Sequence, residues 1–181
     1  GVDMSDASTL EQLPQEGVHA VILLAGLLPA YMSGYNPSDY IDVNSRGALN
    51  VLEYCRKSGA DRILYAQTIS DVLGSVTPET PVIHPYDNRN IIMTGDHTVY
   101  ALSKCFAVDL IKHYQAEYGL KGFVFRLPTV YAFTPDKSYN VDGVRRTLGY
   151  RLLMERAMAG ETLEIWGDPT RAKDVVNVKD F

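Results

Sequence analysis

His19-Ala20-Val21-Ile22-Leu23-Leu24, stopped by Ala25-Gly26, is the run on which the fold turns. An apolar stretch of that length without polar alternation suits a strand buried on both faces, as in a parallel sheet. Two further runs repeat the pattern, Arg62-Ile63-Leu64-Tyr65-Ala66 and Lys121-Gly122-Phe123-Val124-Phe125-Arg126. Helical segments lie between them. From Arg46 to Lys57 the apolar residues Ala48, Val51, Leu52 and Cys55 follow the helical period, with Asn44 and Ser45 as candidate caps and Gly59 as the stop. A longer helix runs from Tyr100 to about Tyr118 and stops at Gly119, with apolar residues around most of its girth. So wide an apolar face predicts burial on two sides, against a sheet and against another helix or subunit. Strand, helix, strand, helix, strand with short joints predicts right-handed parallel crossovers in a doubly wound α/β sheet.

The flanking segments are less regular. Ser8 to Glu11 fits a capping box for a short helix. About thirty residues rich in Pro and Gly separate the second strand from the long helix, and a loop of that length inside a domain is usually functional. After Pro135 the texture changes: a polar stretch leads into a predicted basic helix, Val144 to Ala159, stopped by Gly160. Two strand-like pieces follow, Leu163 to Trp166 and Asp174 to Val178, with a turn at Gly167-Asp168-Pro169-Thr170 between them. The expected organisation is one domain over 1–135 and the start of a smaller one over 136–181.

Composition narrows the function classes. The 181 residues are 46% apolar and carry a net charge of −5, with no basic cluster that would mark a nucleic-acid face. The longest apolar run is too short to span a bilayer, and the N-terminus does not read as a signal peptide, so a cytoplasmic protein is expected. Cys55 and Cys105 lie in apolar helical contexts and read as buried free thiols. His84, His97 and His113 have no metal-ligand spacing with each other or with a cysteine, so no metal is expected.

The chemistry points to Val99-Tyr100-Ala101-Leu102-Ser103-Lys104. Of the twelve tyrosines, only Tyr100 has a lysine four residues on, and on a helix that spacing stacks the two side chains one turn apart. An ammonium beside a phenol favours phenolate and lowers its pKa from about 10, which suits a proton acceptor for a substrate hydroxyl. Taken alone, an exposed Tyr–Lys pair on a helix surface is the commoner meaning of this spacing. Its setting reverses that weighting. Ligands of open α/β sheets sit at the carboxyl ends of the strands, and there the chain carries Ala25-Gly26-Leu27, then Gln67-Thr68-Ile69-Ser70, then Pro128-Thr129-Val130-Tyr131.

With these motifs in order, the sequence resembles the extended short-chain dehydrogenase/reductase family, in particular its NAD-dependent nucleotide-sugar epimerases and dehydratases. Gly1 to Asp6 is similar to the family's G-D-x-x-D segment, which implies that Asp3 lies near the cofactor adenine. Ala25, Gly26 and Leu27 match the strand end that lines the cofactor ribose and phosphates. Asn44 to Leu52 is similar to the N-V-x-G-T-x-N-L-L helix, whose first Asn organises the active site. Thr68 matches the catalytic Ser/Thr, with Ser70 as the alternative because one extra residue precedes Gly74. Tyr100 and Lys104 match the Tyr-x-x-x-Lys pair. Arg126 to Tyr131 matches R-x-x-x-V-Y-G beside the nicotinamide, which brings in Pro128 as a cofactor contact and Thr129 as a substrate contact. Leu163 to Asp180 is similar to the substrate-side segment, with Lys173 where an Arg usually grips the substrate diphosphate.

The resemblance implies a Rossmann-like domain that lacks its first strands in this chain, followed by the start of a substrate-binding domain. It implies NAD or NADP as cofactor, a nucleotide sugar as substrate and a homodimer packed through the Tyr100 and Arg46–Lys57 helices. The implied activity is that of an NAD(P)-dependent sugar-nucleotide epimerase with Thr68, Tyr100 and Lys104 as catalytic residues. The alternatives are an NAD(P)H-dependent ketone or alcohol oxidoreductase of the same family and a non-catalytic dinucleotide-sensing module. Ile69-Ser70 stands where the family's 4,6-dehydratases carry an acid pair, which argues against dehydration. Leu28 replaces a frequent cofactor-contacting Lys, and Ala132 a usual Gly. The G-x-x-G-x-x-G phosphate loop is absent from these residues, so the isolated chain is expected to bind dinucleotide weakly and to be inactive.

Overall fold

Three parallel strands, β1 (Ala20–Leu23), β2 (Arg62–Thr68) and β3 (Lys121–Leu127), pair in the order β1-β2-β3, with Val21 beside Ile63 and Ile63 beside Gly122. The computed structural model describes residues 1–29, 34–95, 97–136, 138–141, 144–165, 167 and 174–181. Between β1 and β2 the chain is helical from Pro37 to Ser58 in three pieces: α1 (Pro37–Tyr40), a π-helical segment (Ile41–Arg46) and α2 (Gly47–Ser58). Gly59, with φ of 77°, ends α2 in the left-handed region, as a glycine in that position is expected to do. Between β2 and β3 come two short 3-10 turns, an irregular segment and α3 (His97–Tyr118).

The two long helices bury one face of the sheet. Leu23, Ile63 and Tyr65 meet Ala48, Val51, Leu52 and Cys55 from α2 and Ala107, Val108, Ile111 and Tyr114 from α3 in one apolar cluster. Helix α3 crosses so close to β3 that a Cβ on Gly122 would collide with Ile111. The opposite face is different. Ile22, Leu24, Phe123 and Phe125 are exposed, so the expectation of strands buried on both faces is corrected to one covered face among the described residues. The cause is that α2 and α3 pack on the same face, while β3 leaves Phe123, Val124 and Phe125 exposed together. Cys55 and Cys105 are free and buried. Among the described residues no helix is long and apolar enough to cross a membrane.

Other corrections concern caps and the later segments. The short N-terminal helix is a 3-10 turn, Ala7–Gln12, capped by Asp6, whose carboxylate accepts from the Ser8 N–H. Asn44 and Ser45 do not cap α2, because the helix is already running before them and their side chains bond elsewhere. The chain clusters into two units, 1–28 with 36–127 and 29–35 with 128–181. In the second unit β4 (Thr129–Tyr131) pairs in parallel with a strand at Val175–Asn177. Val144 to Thr147 belongs not to a helix but to a hairpin, β5 (Ser138–Val141) against β6 (Val144–Thr147). Helix α4 (Gly149–Met158) follows, and Val175–Asn177 is β7. The β-branched ends of Val-Arg-Arg-Thr suit a strand, and the antiparallel partner outweighs the basic helical pattern. Leu163 to Ile165 forms no strand, and the turn at 168–170 lies outside the described residues.

The segment that leaves β2 is tied back by one arginine. Arg126 on β3 grips the buried Asp71 carboxylate at 3.0 and 3.1 Å and donates to the carbonyls of His84, Pro85 and Asp87. Asn90 adds a backbone tie to Asp71 O at 2.8 Å, and Arg89 forks onto Asp109 of α3. Replacing Arg126 by Met leaves Asp71 buried beside only a long contact from Gln67 at 3.4 Å. Arg126→Met is therefore expected to cost about 3–5 kcal/mol in urea unfolding, and to open the 72–95 segment to limited proteolysis in the native state. Unchanged stability would show that the ion pair is dispensable.

Candidate active site

At the carboxyl end of β1 the chain turns at Ala25-Gly26-Leu27, and one side chain fixes that turn. Asn44 Oδ1 accepts the Leu27 N–H at 2.7 Å, and Asn44 Nδ2 donates to the Leu27 carbonyl at 3.1 Å. The carboxamide thus pairs with the turn as a neighbouring strand would. Its Nδ2 also donates to Ser103 Oγ at 3.2 Å, and Ser103 Oγ donates to the Tyr100 carbonyl at 2.8 Å. Asn44 is buried within the π-helical segment, a local widening of the helix of the kind that recurs at functional sites. The neighbouring Ser45 reaches Ser103 O at 3.4 Å. One carboxamide therefore joins the β1 turn to the helix that carries Tyr100 and Lys104.

The predicted catalytic trio converges. Tyr100 is buried, with the Tyr40 ring at 5.8 Å and the His97 ring at 6.4 Å. The Thr68 hydroxyl at the end of β2 lies within reach of its phenol and acts on its titration. Thr68 also caps the turn that follows, accepting from Ser70 N and donating to Ser70 Oγ, both at 3.1 Å. Ser70, the alternative to Thr68, is thus hydrogen-bonded to it at the same strand end. Lys104 is buried one turn along α3, its Nζ 4.2 Å from the centre of the Tyr65 ring. A Cβ on Gly26 would come within 3.0 Å of Asn44 Oδ1 and 3.8 Å of Lys104 Nζ, so a larger residue there would press on the Asn44 carboxamide.

Electrostatics amend the expected pairing. Burial pushes the Tyr100 phenol above its ordinary range, and the opposing pull comes from Thr68, not from Lys104 as the spacing predicts. Lys104 itself is lowered to about 8 by desolvation. Its ammonium lies over an aromatic ring, and among the described residues no carboxylate pairs with it.

The remaining predicted residues fall as follows. Asp3 lines an open cleft of about 480 Å³ together with Gly1, Val2, Met4, Ala25, Gly26, Leu27 and Val43. Its carboxylate accepts from Ser5 N at 2.9 Å and Ser5 Oγ at 2.7 Å, which holds its pKa below the usual range. The segment is seated by Asn50, whose Nδ2 donates to Met4 O, and by Gly47, where a Cβ would strike Met4 Cε at 2.7 Å. Pro128 and Thr129 belong to the second unit, and Thr129 opens β4. Lys173 lies outside the described residues. Three residues escape sequence reasoning: Ser103, Tyr65 and Asp71. The ion pair of Asp71 with Arg126 spans 55 positions that no local pattern connects.

The cleft suits an extended dinucleotide. Its floor at Ala25-Gly26 is free of bulk, Asp3 stands at one side, and a buried cation from Lys104 stands beside Gly26. A model of the NAD dependent epimerase/dehydratase family matches residues 1–181. UDP-glucuronate 4-epimerase of Thermodesulfobacterium geofontis is 28% identical over 183 residues, covering 99% of this chain and 51% of the relative. The structure of Thermus thermophilus UDP-glucose 4-epimerase in complex with NAD superposes with a TM-score of 0.71 at 25% identity, covering 99% of this chain and 56% of that one. RMD from Pseudomonas aeruginosa complexed with NADPH shares the fold, with a TM-score of 0.75 at 23% identity over 99% of this chain and 59% of its own. The chain spans about half the length of the curated relatives it matches.

A buried, unpaired cation destabilises the fold that holds it. Because the folded pKa of Lys104, about 8, lies below its ordinary value of 10.5, its cost is fully present below pH 8 and is relieved as pH rises from 8 to 10.5. Lys104→Met is expected to raise stability at pH 7 by on the order of 1–3 kcal/mol, and to flatten the rise in stability across that pH window. Thermal melts of the two proteins from pH 7 to pH 10 check both effects.

Proposed function

The chain belongs to the NAD dependent epimerase/dehydratase family, and from that membership we propose that it carries the proton-transfer site of an NAD(P)-dependent nucleotide-sugar 4-epimerase. The observation that carries this reading is the convergence of Thr68, Tyr100 and Lys104 beside the Gly26 floor. The first unit is read as part of a dinucleotide-binding domain and the second as the beginning of a substrate-binding domain. Asp3, Ala25, Gly26, Leu27, Asn44, Tyr100, Lys104 and Pro128 are read as dinucleotide contacts, and Thr68, Ser70, Thr129 and Lys173 as sugar-nucleotide contacts.

Tyr100 removes the proton from the substrate hydroxyl as its carbon is oxidised, and later returns it. Thr68, whose hydroxyl lies beside the phenol, turns to hydrogen-bond the same substrate oxygen and steadies the carbonyl that develops there. Lys104 supplies positive charge within the site, and Asn44 holds the floor against α3. A bound nicotinamide dinucleotide supplies the hydride acceptor and donor, so that the protein contributes orientation and proton transfer. Asp71, the nearest carboxylate after Thr68, is locked by Arg126. It is therefore not available as the free acid that a dehydration would use, which supports epimerisation.

UDP-sugars are the substrate class favoured by the relatives' own activities. A homodimer is supported by Leu49 on α2 and Leu102 and Phe106 on α3, which leave apolar surface exposed on the two helices. In the full-length protein, Tyr100→Phe is expected to lower the interconversion of UDP-glucose and UDP-galactose by about 10²–10⁴-fold, with dinucleotide binding by calorimetry retained. A variant that turns over at the parental rate would overturn the proposed base. Net oxidation of added NADH by the parent protein would favour a reductase.

A further inference from the structure

Lys104 presents an unusual problem. Its ammonium is buried at the functional floor, and among the described residues its close partner is the face of an aromatic ring. The ring is that of Tyr65, which is itself almost wholly buried in the middle of β2. Tyr65 touches Lys104 twice: its ring centre lies 4.2 Å from Nζ, and its hydroxyl donates to the Lys104 carbonyl at 3.4 Å. The second contact sets the backbone of α3 at that position, and the first sets the end of the side chain. A desolvated cation over the face of a tyrosine is well within the distance at which the ring quadrupole attracts it.

We infer that Tyr65 is the positioning residue for Lys104, its ring face serving as the counter-group that keeps the ammonium charged and seated beside Gly26. The inference rests on the proposed role of Lys104 in the site. The titratable groups acting on the ring are the Tyr100 phenol, one turn back from Lys104 on α3, and the Cys105 thiol, and burial alone shifts Lys104 among the described residues. The β1 turn contributes Gly26 and the π-helical segment Asn44, which do not titrate. Without a carboxylate in that set, the ring is what opposes the desolvation that draws Lys104 down. An aliphatic side chain of similar size would fill the same space and provide no such opposition.

The test uses the full-length enzyme with its dinucleotide, reading kcat/KM for UDP-glucose epimerisation against pH. Phenylalanine at position 65 removes the hydroxyl and keeps the ring. Mono-, di- and trifluorophenylalanine then drain the ring quadrupole in steps at nearly constant shape. The expected result is an alkaline limb that stays near its parental position in Tyr65→Phe and falls with each fluorine, by about half a unit to one and a half units over the series. Tyr65→Leu, where it folds, is expected to fall at least as far. A residue that merely filled space would lower kcat at every pH and leave the limb in place. A limb unmoved across the fluorinated series, with Lys104→Met inactive, overturns the role of Tyr65 alone. Parental turnover in Lys104→Met overturns the reading of Lys104 on which it rests.

Discussion

The bond between the Asn44 carboxamide and the Leu27 amide is the constraint on which the site depends. The turn after β1 has left the sheet, so its N–H and C=O have no strand to pair with, and polar backbone groups left unpaired inside a protein are costly. Asn44 satisfies both at once, at 2.7 and 3.1 Å, and spends its remaining donor hydrogen on Ser103 of α3. Three elements that are far apart in sequence are thereby fixed by one planar group. Because the same carboxamide oxygen sits 3.0 Å from where a Cβ on Gly26 would lie, the floor is narrow and bare for the same reason.

Around that joint the structure separates scaffolding from chemistry. Helices α2 and α3 bury one sheet face and supply the apolar cluster, and the strand ends supply hydroxyls and small residues. The two charged groups buried nearby are handled in opposite ways. Asp71 receives a full guanidinium and is neutralised as part of the scaffold. Lys104 receives an aromatic face and, among the described residues, no carboxylate. A buried charge with its salt-bridge partner serves architecture, whereas one without such a partner remains available to a ligand.

How much of this was legible follows from the range of each interaction. The three strands could be read because Ala20 to Leu23, Ile63 to Tyr65 and Phe123 to Phe125 are uninterrupted apolar runs, and the stops at Gly59 and Gly119 are local backbone events. The Tyr100–Lys104 spacing is also local, and so was visible. The pairing of β5 with β6 was not, since Val144 to Thr147 carries a helical charge pattern and its strand character comes from its antiparallel partner, Ser138 to Val141. The capping expectation for Asn44 failed for a similar reason: a capping side chain and a tertiary joint look alike until Leu27 and Ser103 are brought to it. Tyr65 read only as a strand residue, because nothing in its neighbourhood of sequence announces a lysine 39 positions away.

Amide hydrogen exchange at Leu27 measures the Asn44 joint most directly. In the full-length protein the Leu27 amide should be protected, and Asn44→Ala should speed its exchange by roughly 10- to 100-fold, with the proposed epimerase turnover falling in parallel. Parental protection of Leu27 in Asn44→Ala, or a fast-exchanging Leu27 in the parent, would contradict the claim that this carboxamide holds the site together.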